Sequence, residues 1–154
     1  MTRVYLAGRF SRRDEFNGYA DTLRSWGFTV DARWLTEAHE WYGERDADAI
    51  AAARSFAHDD LSDVARSDIV LVFTEPANPG GRNRGGRHVE YGIALALHKD
   101  IIIVGAPENV FHNLIGAVFV PRDDVLHVPA TRIGHAASFD DVRGVLVGAG
   151  LVSA

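Results

Sequence analysis

The chain has 154 residues, 47% of them hydrophobic, carries a formal charge of −5 and contains no cysteine. That length suits a single domain, 1–154, with a substantial core, and the charge argues against polymeric nucleic acid or an anionic membrane as partner. The missing thiol excludes disulfides, thiolate zinc sites and a cysteine nucleophile, and no signal-like or membrane-length apolar segment is present, so a cytoplasmic protein is expected.

In chain order, residues 4–8, 28–33, 69–73, 101–105 and 117–120 read as strands, the third and fourth almost wholly apolar. Such runs suit a parallel sheet covered on both faces. Residues 12–26, 46–66, 88–99, 110–115 and 139–148 read as helices between and after them. Phe16, Tyr19, Ala20, Leu23 and Trp26 form a core stripe on the first helix, which Gly27 ends. The alternation predicts an α/β fold: a doubly wound, flavodoxin-like or Rossmann-like domain with a mostly parallel five-stranded sheet. Two segments, 36–45 and 75–87, fit neither pattern and read as loops.

The first βα turn contains Gly8, Arg9, Phe10, Ser11, Arg12 and Arg13. Close backbone, a Ser11 N-cap and three arginines could bind a phosphate at the helix start; ordinary capping with solvated arginines is the alternative. Trp34, Trp41 and Tyr42 offer aromatic faces for stacking on a base, or core and loop anchors.

The run Arg84-Gly85-Gly86-Arg87-His88-Val89-Glu90-Tyr91-Gly92 carries the most chemical information, because a glycine-rich loop opens into a helix with a carboxylate in its first turn. Helical periodicity places Val89, Ile93, Ala96 and Leu97 in one inward sector with Glu90 beside Leu97, and turns Arg87, His88, Tyr91, His98 and Lys99 to solvent. An inward carboxylate must be hydrogen-bonded, paired or at a cleft. The helix dipole would favour its anion, making Glu90 a candidate nucleophile or, alternatively, a capping glutamate. In the helix over 46–66, Ile50, Ala53, Ala57, Leu61 and Val64 share a sector that contains Asp60. Asp59 then faces solvent and Asp63 the edge. Two inward carboxylates at one end of a sheet suggest glycoside chemistry, whereas a buried Asp60 satisfied by backbone or arginine is the structural alternative.

Other signals are weak. His88-x-Glu90 lacks the downstream cysteines of a zinc deaminase. The seven histidines show no His-Glu-x-x-His arrangement, so no catalytic metal is expected. Neither Gly-x-Gly-x-x-Gly nor a P-loop Lys-Ser/Thr is present, which leaves no organic cofactor.

Several segments together resemble the nucleoside 2-deoxyribosyltransferase family, with its phage-type and nucleotide N-glycosidase relatives. They are Val4-Tyr5-Leu6-Ala7-Gly8, Arg33-Trp34-Leu35, Asp59-Asp60-Leu61-Ser62-Asp63 through Ser67-Asp68-Ile69-Val70, Gly85-Gly86-Arg87-His88-Val89-Glu90-Tyr91-Gly92, and Gly105 through Glu108-Asn109-Val110-Phe111-His112. The resemblance implies that Glu90 attacks the anomeric carbon of a 2′-deoxynucleoside or its 5′-monophosphate, forming a covalent glycosyl intermediate that passes its sugar to another base or to water. It implies Asp60 as the assisting carboxylate and Gly8 as pocket floor; Arg9, Phe10, Trp34, Gly85, Gly86, Arg87 and Asn113 are the further candidate substrate contacts. It further implies a homo-oligomer with shared pockets, which Asn109, His112 or Asn113 would reach from a neighbour. Where family members acting on 5′-phosphates carry a small hydroxyl residue before the nucleophile, this chain has Arg82, Arg84 and Arg87. A nucleotide-binding sensor without turnover is the alternative function.

Overall fold

The apolar runs form the centre of one sheet. The structure, a computed structural model, describes residues 1–37, 45–76, 85–114, 116–118 and 131–152. Its elements are β1 (Arg3–Ala7), α1 (Arg13–Ser25), β2 (Thr29–Val30), α2 (Ala47–Arg66), β3 (Ile69–Phe73), α3 (Gly86–Ala96), β4 (Asp100–Val104), β5 (Gly116–Val118), β6 (Thr131–Ala136) and α4 (Val142–Gly148), with short 3₁₀ turns at Phe10–Arg12, Arg33–Thr36, Val110–Asn113 and Phe139–Asp141.

The strands lie in the order β2-β1-β3-β4-β6-β5. The first five are parallel, and β5 runs antiparallel to β6 at the edge. This is the doubly wound, flavodoxin-like order expected for the parallel strands. The fifth parallel position, however, belongs to β6, while the strand expected at 117–120 is the antiparallel edge at Gly116–Val118. The segment Thr-Arg-Ile-Gly-His-Ala of β6 hides its period-2 alternation behind polar and small residues. Gly134 is small for a packing reason: a Cβ there would lie 2.8 Å from Val145 Cγ1 of α4.

Every residue of β3 is buried, as befits a central strand covered on both faces. On one face α1 buries Phe16, Ala20 and Leu23. Tyr19 stacks on Phe139 at 4.0 Å and Trp26 at 5.8 Å from it, so α1 and the turn leading into α4 share an aromatic layer. On the other face α2 packs against α3. Asp46 caps α2 by accepting from the Ala49 amide. The expected helix at 110–115 shortens to the 3₁₀ turn Val110–Asn113, capped by Asn109.

Both helices of the second face are rotated from the expected orientation. On α3, Arg87, Tyr91 and Ala94 are buried, while Val89 is 62% and Leu97 45% exposed. On α2, Asp63 and Val64 are buried, and Ile50, Ala57 and Leu61 are exposed. Partners made by tertiary structure explain the turn. Arg87 binds Glu108 through Nε at 3.1 Å and through Nη2, and the Tyr91 hydroxyl donates to the Phe111 carbonyl at 2.8 Å. Asp63 accepts from the Arg33 amide at 2.9 Å, from Arg33 Nε and from Arg66 Nη2. Polar groups so satisfied can enter a core that sequence periodicity reserves for apolar ones.

Candidate active site

Tyr5 organises the site. It lies in the middle of β1, fully buried, on the face covered by α2 and α3. A buried tyrosine hydroxyl needs a partner, and this one has two: Glu90 Oε1 of α3 at 2.7 Å and Asp60 Oδ1 of α2 at 3.2 Å. The two carboxyl groups selected from sequence are thus brought to one oxygen. Bonds of 2.7 and 3.2 Å to a shared atom put the two bonded oxygens less than about 6 Å apart, close enough for both carboxyl groups to act at one glycosidic bond. Glu90 Oε2 is buried with no hydrogen-bond partner among the described residues. It is the free oxygen of the pair.

Burial raises both carboxyl groups, Glu90 to about 8 and Asp60 to about 6, against the opposing hydrogen bond from Tyr5. At neutral pH the pair therefore holds about one proton, as a macroscopic property of the two groups together. Burial favours that proton on Glu90, whereas the shorter Tyr5 bond favours the anion there. A tyrosine hydroxyl can donate to one carboxylate while accepting from the other carboxylic acid, so the shared hydroxyl accommodates the proton on either group. The Tyr5 hydroxyl itself is held well above its ordinary value by burial and then by the two carboxylates.

Sequence reasoning passed over Tyr5 because the run around it reads as uniform core, although a tyrosine inside a buried strand is itself the signal. It also passed over Glu37. This carboxyl follows the turn Arg33–Thr36, has one buried oxygen without a partner among the described residues, and is pushed up to about 7 by burial and by the fields of Asp60, Asp59 and Asp63.

The other expected contacts are placed variously. Gly8 is packed against Phe16: a Cβ at Gly8 would lie 2.2 Å from the ring. Trp34 is 5% exposed, donates its indole N–H to the Leu6 carbonyl at 2.9 Å and packs on Phe16, so it serves the core and offers little face to a base. Phe10 is half-buried against Trp34. Ser11 does not cap α1, whose N-cap is Arg12 without a side-chain bond. Arg12 is held by Glu15 and Glu75 at 2.7 Å each, and Arg13 donates to the Glu37 carbonyl, whereas the Arg9 side chain makes no polar contact among the described residues. Gly85 and Gly86 are exposed at the start of α3 with open space before them. Arg87, expected at solvent, is buried and committed to Glu108 because that carboxylate neutralises it. Asn113 is exposed and its amide donates to the Asn109 and Val110 carbonyls. Asp59, expected to face solvent, is partly exposed and pairs with Arg33 at 2.5 Å. Trp41, Tyr42, Arg82 and Arg84 lie outside the described residues.

The domain is thus doubly wound, with Asp60 of α2 and Glu90 of α3 joined through Tyr5 of β1. The solved structure of a 2-deoxyribosyltransferase from the psychrotolerant bacterium Bacillus psychrosaccharolyticus shares this fold, with a TM-score of 0.53 and 19% identity over 85% of this chain and 98% of that one. The CMP N-glycosidase BcmB of Clostridium botulinum is also similar, at TM-score 0.39 and 21% identity over 67% of this chain and 71% of that one. No protein-family model matches the sequence, and no curated protein does.

Proposed function

We propose that this protein is an enzyme of the nucleoside 2-deoxyribosyltransferase type, cleaving the N-glycosidic bond of a 2′-deoxynucleoside or its 5′-monophosphate. The observation that supports it most is the state of Glu90, anchored through Oε1 to Tyr5 while Oε2 is buried and unpaired. In the proposed reaction Oε2 attacks C1′, the C1′–N bond breaks, and the bonding pair leaves with the base, which takes the proton held by Asp60. The resulting glycosyl ester on Glu90 is opened at C1′ by a second base or by water, whose proton returns to Asp60. Two displacements give retention at C1′.

Arg9, Phe10, Gly85, Gly86 and Asn113 are the proposed substrate contacts that the described residues leave accessible. The site needs neither a metal nor an organic cofactor in this reading, and we place the protein in the cytoplasm; no described helix is long and apolar enough to cross a membrane. A homo-oligomer is also proposed. Val89 and Leu97 on α3, with Val110 and Phe111 at 77% and 61% exposure, form apolar surface that a second copy would cover. Sedimentation should show a multimer that a Val89→Lys, Leu97→Lys double variant dissociates; a monomeric wild type removes the oligomer.

The direct test is chromatography of free bases after incubation with the four deoxynucleosides and their monophosphates, with and without an acceptor base. Release that requires acceptor identifies a transferase, and release without it a hydrolase. In either case Glu90→Ala should lose activity by ~1,000-fold or more, as expected for removal of a covalent nucleophile. Saturable nucleotide binding without release in any mixture would replace the enzyme by a sensor.

A further inference from the structure

Beside the paired carboxyl groups, on the other side of Arg87, two histidines and a glutamate converge. His88 lies in the first turn of α3, Glu108 follows β4, and His112 is in the 3₁₀ turn Val110–Asn113. One ring nitrogen from each histidine and one carboxylate oxygen lie within 4.8 Å of one another. We propose that His88, Glu108 and His112 bind one divalent transition-metal ion of the zinc, nickel or cobalt type.

Ligand geometry supports the assignment. Ligands about 2.1 Å from a tetrahedral metal stand ~3.4 Å apart, so side-chain rotations of little more than about 1 Å close the site. The imidazoles already face a common point: the Asn109 amide nitrogen lies 3.4 Å from His88 Nδ1 and 3.3 Å from His112 Nε2. A side-chain NH₂ facing two ring nitrogens takes the place for which a cation competes, and it calls for a lone pair on each ring. His112 also meets the Glu108 amide at Nδ1, 3.2 Å away. A neutral imidazole has one lone pair, so metal capture at Nε2 puts the proton on Nδ1 and replaces the bond that Nδ1 accepts from the Glu108 amide.

The surroundings select the class of ion. Two imidazoles and one carboxylate are poor ligands for magnesium or calcium, which prefer several oxygens, and suit borderline transition metals. Arg87 holds both Glu108 oxygens, which orients the carboxylate and offsets its charge, leaving the imidazoles to supply most of the affinity. Tyr91 packs edge-on against His112 with ring centroids 5.2 Å apart, fixing its plane. The ion would tie the first turn of α3, two residues before Glu90, to the chain after β4. It positions that turn rather than acting on substrate.

The test titrates the full chain with ZnCl₂ against a chromophoric chelator, and with CoCl₂ by visible absorption, beside His88→Ala and the exposed-histidine control His58→Ala. Expected are one equivalent bound per chain, a raised thermal midpoint with Zn²⁺ but not Mg²⁺, and an affinity loss of more than ~10-fold in His88→Ala only. His112 is fully buried, so its removal can unfold the chain; Glu108→Gln provides the second ligand variant and should also weaken binding. No saturable binding, equal stabilisation by Mg²⁺, or an affinity unchanged in both ligand variants overturns the site. None of these readouts depends on glycosidic activity.

Discussion

Tyr5 has one hydroxyl proton and two carboxyl groups within hydrogen-bond reach. Removing that hydroxyl while keeping the ring isolates what it does. Tyr5→Phe should leave the chain folded, since the aromatic volume stays in β1, yet reduce kcat by about 10- to 100-fold with little change in KM. That loss corresponds to a hydrogen bond to a charged group, about 1.5–3 kcal/mol, that orients Glu90. A shifted pH profile should accompany it, because the link between the two carboxyl groups is gone. Unchanged turnover and profile would reduce Tyr5 to a packing residue. Glu90 and Asp60 stand out in sequence because each is a carboxylate beside apolar positions of its helix. Their partner does not, because nothing local distinguishes Tyr5 from its apolar neighbours.

At the scale of elements, the crossing of β1 into α1 depends on a glycine. Phe16 is wedged among Phe73, Trp34 and Tyr19, with ring centroids 4.6, 5.4 and 5.7 Å away, so it has little room to yield to a Cβ at Gly8. Gly8→Ala should destabilise the protein by about 1–3 kcal/mol, the range for overpacking a core. Denaturant unfolding would show this as a lower midpoint at unchanged slope; an unaltered midpoint would mean that the ring moves. The rotations of α2 and α3 teach a related lesson. Sequence places both helices on the sheet correctly but misjudges their faces, since Arg87, Tyr91 and Asp63 are buried only because Glu108, the Phe111 carbonyl, Arg33 and Arg66 meet them there. Those partners are distant in sequence, and periodicity does not see them.

For the whole molecule, the raised carboxyl groups set a pH dependence of stability. Glu90, Asp60 and Glu37 bind protons more tightly in the folded chain, with values of about 8, 6 and 7, than in the unfolded one, chiefly through burial. Their contribution is fully present below the ordinary carboxylate range and is lost as pH rises through these values. Glu15, lowered to about 2 by Arg12 and Tyr19, acts in the opposite sense, but only as pH falls below its unfolded value. The melting temperature should therefore decline between pH 5 and pH 8 by several degrees. Glu90→Gln should flatten the upper part of that decline and melt higher than wild type at pH 8, while losing activity. A melting temperature that rises from pH 5 to pH 8 would contradict the placement of these groups in a low-dielectric site. Such a gain on removing the proposed nucleophile is the ordinary conflict between stability and a functional carboxylate.

Sequence alone determined the α/β alternation, the central strands and the core stripe of α1, because each is written in hydrophobic periodicity, and it singled out Glu90 and Asp60 as candidates. Tertiary structure decided which faces of α2 and α3 turn inward, that β6 rather than β5 completes the parallel sheet, that Tyr5 joins Glu90 to Asp60, and that His88, Glu108 and His112 converge. All four depend on pairings between residues far apart in the chain. A polar side chain can be buried where such a partner waits for it, and only the folded chain says where that is.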